Sequence, residues 1–440
     1  MNSELLRSFL TSGFGHTAAD RHRPARGRFS RFFAVLGPGL ITGAADDDPS
    51  AIATYSIAGA QLGTSVLWTA FITWPLIAAI QMMCALIGFM TGRGLVGALR
   101  EKFPPSLVAL AALGLSIANT ITVGADLSGM ADAAEMLTGL NSHYYIVLFG
   151  TAIALGTILF RYRQIAKLLK WFTLSLFAYV LTAFALRPDW GALFRETFLP
   201  PWPSGPAIWP TLVAILGATV SPYMFFWQAS QELEERKSPD LRMRVEEEGE
   251  SRKRMADRKL DVAAGTMFSN LTMYFIILTT GLTLHRSGIT SIETSADAAE
   301  ALKPLAGPFA AALFTVGIVG AGLVAIPTLI GSAAYAIAET FRWAQGLNEK
   351  FNAARPFYGV IILSSVIGVA LDLGDIPPLK ALFWAAVVNG VLAPFLLIGI
   401  LIVASDRKIM RQQPSSLLAQ LTVAVTALAM LGAAIGMFVF

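Results

Sequence analysis

The sequence predicts an all-α membrane protein: about eleven transmembrane helices, forming two inverted five-helix repeats and one further helix, with helices 1 and 6 discontinuous. Three observations predict it. Mostly apolar runs of membrane-spanning length recur along the whole chain, and only 14% of its residues are charged, against about 25% in a soluble domain. Lys and Arg gather in every second connecting segment. Two spans, five apart in order, each carry a glycine, a few small residues and then a proline in mid-span.

The spans fall at 33–62, 64–90, 106–138, 144–160, 166–186, 207–232, 260–284, 306–340, 357–371, 379–404 and 416–440. The first, third and eighth exceed one bilayer crossing and are expected to be interrupted or to protrude. The fourth and ninth are short. A basic tail, 1–32, precedes the first repeat (33–186). The second repeat (207–404) carries a charged loop, 233–259, expected to be a solvated helix with i,i+4 pairs. The eleventh helix is 416–440. Of the 33 Lys and Arg, 28 lie in the tail and the alternate segments after it; Arg187, Arg195, Arg286, Lys303 and Lys380 are the rest. The positive-inside rule then puts the N-terminus in the cytoplasm, and an odd span count puts the C-terminus outside the plasma (inner) membrane. The first span is expected to serve as its own insertion signal. The net charge of +4 is a loop property here and implies lipid as partner, not nucleic acid. Cys84 is the one cysteine, so no disulfide framework exists. A monomer suffices for this architecture.

The paired prolines direct attention to the middle of the membrane. "ITGAADDDPSAIATYS" (41–56) and "ILGATVSPYMFFWQAS" (215–230) both run from a glycine to a proline, Gly43 to Pro49 and Gly217 to Pro222. Proline removes a backbone donor and clashes with the preceding turn. In lipid, broken backbone survives where it lines a cavity or an ion, and paired broken helices mark a transporter's midplane site. The first break carries Asp46, Asp47 and Asp48. Each would cost about 3 kcal/mol at the bilayer centre, and no Lys or Arg lies in the flanking apolar runs. The aspartates must face water or a cation. A carboxylate beside freed carbonyls, at the negative end of a half-helix, makes a cation site. Asp48, directly before Pro49, is the expected ligand; Asp46 and Asp47 line the approach or hold ligating water. In the alternative, all three sit in a vestibule and attract cations by their field.

At this point the residues resemble a family. Asp48-Pro49-Ser50-Ala51 is similar to the Asp-Pro-Gly-Asn of the Nramp divalent-metal transporters, and Ser221-Pro222-Tyr223 to their Met-Pro-His. "GPGLITGAA" and "GATVSP" match as well. The resemblance implies a LeuT-type inverted repeat and a secondary transporter, not an enzyme, importing metal by alternating access. It needs no cofactor; the metal is the substrate. It also marks the departures. Ala51 stands for the family's Asn ligand and Ser221 for its Met ligand. A thioether favours transition metals, while oxygen ligands and water suit Mg²⁺ and Mn²⁺. Mg²⁺ keeps several of its waters, so a roomier, all-oxygen site implies the Nramp-related magnesium branch, which also accepts Mn²⁺. Tyr223 and Gln228 stand at the family's span-six histidines. Asp126 of span three is present, but the expected Glu is Gly129. Weak or absent proton coupling follows. The alternative is an ordinary proton-coupled Mn²⁺/Fe²⁺ transporter.

Other polar residues have two readings each. Met224 packs, or restores a sulfur. Gln228 coordinates the metal or bridges water, or packs. Asn389 supplies an oxygen to the ion, or bonds helix to helix. Asn119, Thr120 and Thr122 are inter-helix glue, and Asp132 and Glu135 are solvated at the end of span three. An intramembrane aspartyl protease would need a second aspartate facing the first; "DLGDIPP" (372–378) offers one, but in a loop.

Overall fold

A computed structural model describes residues 45–159, 175–201, 205, 207–237, 248–371 and 376–439, with the side chains of 235–257 excepted. The predicted tail (1–32), the start of the first span (33–44), the start of the fifth and the acidic part of "DLGDIPP" lie outside the described residues. Helices make up nearly all of what is described. They are α1 (Pro49–Leu62), α2 (Trp68–Thr91), α3 (Pro105–Thr138), α4 (Ser142–Leu159), α5 (Phe177–Ala185), α6 (Ile208–Thr219), α7 (Pro222–Lys237), α8 (Glu248–Thr283), α9 (Ala310–Phe341), α10 (Arg355–Ala370), α11 (Pro378–Ser405) and α12 (Leu417–Val439). Among the described residues eight stretches are long and apolar enough to cross a membrane, α6 and α7 counting as one, and α10 is a shorter apolar helix. This is a multi-pass membrane protein.

The long spans resolve in two ways. Span six is broken: α6 ends at Thr219 and α7 begins at Pro222. Span one is broken at Asp47 and Asp48, between a helical Ala45–Asp46 and α1. The third and eighth spans run unbroken for 34 and 32 residues, so both protrude. In the eighth, Pro327 is accommodated inside the helix.

The core that positions the site is built by close helix contacts. α3 and α9 pack along their lengths, α1 lies on α8 and α11, and α6 lies on α11. Two glycines permit close approaches between these helices. A side chain on Gly59 of α1 would meet the Thr280 Oγ1 of α8 at 2.0 Å, and one on Gly217 of α6 would meet the Ala386 carbonyl of α11 at 2.0 Å. Asn119 of α3 donates to the Leu329 carbonyl and to Ser332 Oγ of α9, which is inter-helix glue of the kind membranes favour. Outward faces carry exposed apolar side chains such as Leu155, Phe395 and Leu428, as suits a lipid-facing surface. The charged loop begins as the last turns of α7 and ends as the first turns of α8. There Arg258 Nε pairs with the buried Glu232 at 2.6 Å. Asp132 and Glu135 have structural tasks beyond solvation: they accept the backbone N–H groups of Ser295 and Ser142, the first residues of their helices.

Candidate metal site

The first break is built around a helix start. Asp48 is the N-cap of α1, with extended backbone, and Pro49 follows at the first helical position, where its missing N–H costs nothing. Asp48 Oδ1 accepts the Ala51 N–H at 2.7 Å. The Ser50 N–H goes across to Asp126 Oδ1 of α3 at 3.1 Å. Asp48 therefore lies at the positive end of α1, which corrects the expectation that it sits at a negative helix end. The negative end is that of Ala45–Asp46, just before it. The consequence is a division of labour within one carboxylate. Oδ1 is spent on the cap, and Oδ2 is left facing Tyr223.

Tyr223 ties the two breaks together. It is the second residue of α7 and fully buried. Its hydroxyl donates to the Ala45 carbonyl at 2.8 Å and lies 3.5 Å from Asp48 Oδ2. The carbonyl released by the first break is thus met by a side chain from the second. Ser221, in the second break itself, points its Oγ back at the Gly217 and Ala218 carbonyls, at 3.0 and 2.9 Å. Its proton satisfies the end of α6, and its lone pairs remain. Ala51 is buried and offers only a methyl group.

The four aspartates, 46, 47, 48 and 126, are all buried. Among the described residues no Lys, Arg or His forms an ion pair with any of the four. Asp46 Oδ1, Asp47 Oδ2 and Asp126 Oδ2 have no hydrogen-bond partner among the described residues. Unsatisfied buried carboxylate oxygens are costly, and a cation with its waters is the natural remedy. Among the described residues no three Asp, Glu, His or Cys side chains converge on a point. Any ion here takes one or two carboxylates and completes its shell with carbonyls, hydroxyls and water, which is the pattern of a hard cation.

The remaining candidates divide. The Gln228 amide nitrogen donates to Glu232 Oε1, one turn further along α7, and not to the aspartates. Met224 is fully buried in an apolar cluster with Leu127, Met130 and Trp227. Asn389 of α11 donates to Thr122 of α3, with its Oδ1 left unpartnered. Sequence reasoning missed Ser269 of α8, whose hydroxyl lies 3.1 Å from Asp46 Oδ2 and 2.9 Å from Asp47 Oδ1. The signal was available: Ser269, Asn270 and Thr272 interrupt an otherwise apolar span.

A family model described as natural resistance-associated macrophage protein-like matches residues 39–440. The chain belongs to the Nramp family. A Chromohalobacter salexigens relative, "Divalent metal cation transporter MntH", is 26% identical over 413 residues, 92% of this chain and 91% of its own length. A protein of the same name from Yersinia pestis is 28% identical over 306 residues, 68% of this chain and 71% of its own length. Both relatives are transporters by name, not enzymes. The crystal structure of a variant of the Eremococcus coleocola manganese transporter has the same fold, with TM-score 0.74, 16% identity and coverage of 94% of this chain and 87% of that one. More distantly, MHP1, a nucleobase-cation-symport-1 transporter, superposes with TM-score 0.53 at 16% identity over 91% of this chain and 92% of that one. The Nramp chain described here therefore has the LeuT-type fold expected of it.

Proposed function

We propose that this chain imports divalent metal ions by alternating access, with Mg²⁺ and Mn²⁺ preferred and with weak or no proton coupling. The observation that carries it is the meeting of two broken helices at four buried carboxylates that no Lys, Arg or His pairs with among the described residues. Asp48 binds the ion through Oδ2, with Asp126 and the hydroxyls of Tyr223 and Ser221 around it and water in the remaining positions. Asp46 and Asp47 line the approach. The names of the relatives support a divalent metal as cargo. The preference for hard ions rests on Ala51 and Ser221, which leave the site without a sulfur or an amide and with room for water. Met224, the nearest thioether in sequence, is held in the packing cluster.

The weak coupling rests on the missing relay. Tyr223 takes the place of a histidine and is engaged with Ala45. At Gly129, a Cβ would meet Leu382 Cδ1 at 2.6 Å, so an apolar side chain fills the space a relay carboxylate would need. Orientation follows the Lys and Arg distribution, with the N-terminus in the cytoplasm and the C-terminus outside.

The test is Mg²⁺ entry into proteoliposomes, with Mn²⁺ as competitor and an internal pH dye, for wild type and Asp48→Ala. Expected are Mg²⁺ entry inhibited by Mn²⁺, loss of entry in Asp48→Ala, and little acidification. Entry of Mn²⁺ with strong acidification, and no entry or competition by Mg²⁺, would instead identify an ordinary proton-coupled transition-metal carrier.

A further inference from the structure

Asp46 and Asp47 lie outside the cap that holds Asp48. Their surroundings amount to a site of their own. Ser269 Oγ stands between them, within 3.1 Å of one oxygen of each. A hydroxyl has one proton, so it serves one carboxylate at a time and meets the other lone pair to lone pair. The far oxygens, Asp46 Oδ1 and Asp47 Oδ2, have no partner among the described residues. Two further hydroxyl groups lie on the adjoining helices α1 and α8. Tyr55 lies seven residues past Asp48, on the same face of α1. Its hydroxyl is fully buried and has no hydrogen-bond partner among the described residues, and Asp46, Asp47 and Asp48 all act on it electrostatically. Thr272, three residues along α8 from Ser269, stands beside Asp47. Two carboxylates, two hydroxyls and a phenol are all oxygen donors, the set a hard cation takes.

We propose that Asp46, Asp47 and Ser269 hold a second divalent cation beside the transported one, so that the chain binds two at once. The proposal rests on the reading of Asp48 as the first ion's ligand. It accounts for the acid count: four buried carboxylates, which no cationic side chain among the described residues pairs with, are matched by two divalent ions. The two ions sit on neighbouring residues of one broken segment and repel each other, so the second binds more weakly and its arrival loosens the first.

The experiment is Mn²⁺ binding to the purified full-length chain by equilibrium dialysis, with electron paramagnetic resonance on the same samples. Wild type is expected to take two Mn²⁺ in two phases, with lines broadened by spin coupling at saturation. The double variant Asp46→Asn/Asp47→Asn should take one Mn²⁺ and give sharp lines. Ser269→Ala should weaken the second phase by roughly tenfold, the loss of one good polar contact, and leave the first in place. A single Mn²⁺ in the wild type, unaltered by either change, overturns the second site and leaves the first intact. No Mn²⁺ in the wild type overturns both readings.

Discussion

At the first break the chain places three consecutive carboxylates ahead of Pro49; at the second it places one hydroxyl, Ser221, ahead of Pro222. The backbone solution is the same in both: a helix stops, two residues leave the helical path, and proline starts the next helix. The chemistry differs because the orphan groups are met differently. At the first break the free N–H groups of α1 are taken by Asp48 and Asp126, and the free Ala45 carbonyl by Tyr223. At the second, Ser221 serves the end of α6 within its own segment. The first break thus supplies charge, and the second supplies shape and a tether. On the proposed reading, charge decides that a cation binds, and the neutral break decides which cation, since it is there that the family's sulfur is absent.

The largest effect on this arrangement is expected where the neutral break is anchored. Gly217 lets α6 lie against α11, and a methyl group there would press on the Ala386 carbonyl at 2.0 Å and the Gly390 nitrogen at 2.4 Å. Both obstacles are backbone and cannot swing away. Gly217→Ala is expected to cost about 1–3 kcal/mol or more, read as a clear fall in Tm in detergent and loss of Mg²⁺ entry. Gly114→Ala is the control: its nearest neighbour is Leu392 Cδ1 at 3.8 Å, and alanine favours a helix. Equal behaviour of the two variants would mean that α6 is free to shift and that the second break is not fixed by α11.

A smaller effect, in selectivity and not in folding, is expected from returning the sulfur. Ser221→Met should raise the inhibition of Mg²⁺ entry by Cd²⁺ by roughly tenfold, because a thioether prefers the softer ion. Ala51→Asn combined with it should lower Mg²⁺ entry further by filling water space. The measurement is the ratio of Cd²⁺ to Mn²⁺ inhibition constants in the same vesicles. An unchanged ratio would place the ion away from Ser221 and assign selectivity to the charged break.

How much of this was legible in the sequence follows from the same contrast. The breaks were legible because proline and glycine act locally, and local rules survive in any context. The acids were legible because an unpaired carboxylate in an apolar run has so few explanations. The helix end on which Asp48 sits was misjudged: a residue directly before a mid-span proline is an N-cap, and the negative helix end falls two residues earlier. Ser269, Tyr55 and Leu382 were hidden for a different reason. Each acts on residues more than a helix away in sequence, except Tyr55, whose part depends on which face of α1 turns inward, and neither pattern nor propensity in one chain reports such contacts. Gln228 and Asn389 show the converse. Both are polar residues in apolar spans, and their amides are directed to Glu232 and Thr122.

The smallest expected effect tests whether the two breaks act as one. Tyr223 joins them directly, by its hydrogen bond from α7 to the Ala45 carbonyl. Its approach to Asp48 Oδ2, at 3.5 Å, is too long to contribute much. Tyr223→Phe keeps the ring in its buried seat and removes only the hydroxyl, a loss of about 1 kcal/mol or roughly a fivefold change. If the bond holds the first break in its binding shape, the loss falls on KM for Mg²⁺, with the maximal rate and Tm little altered. If it tightens one state of the cycle over the other, the maximal rate changes instead. An unchanged KM and rate would separate the two breaks, leaving the charged one to bind alone and the neutral one as a wall.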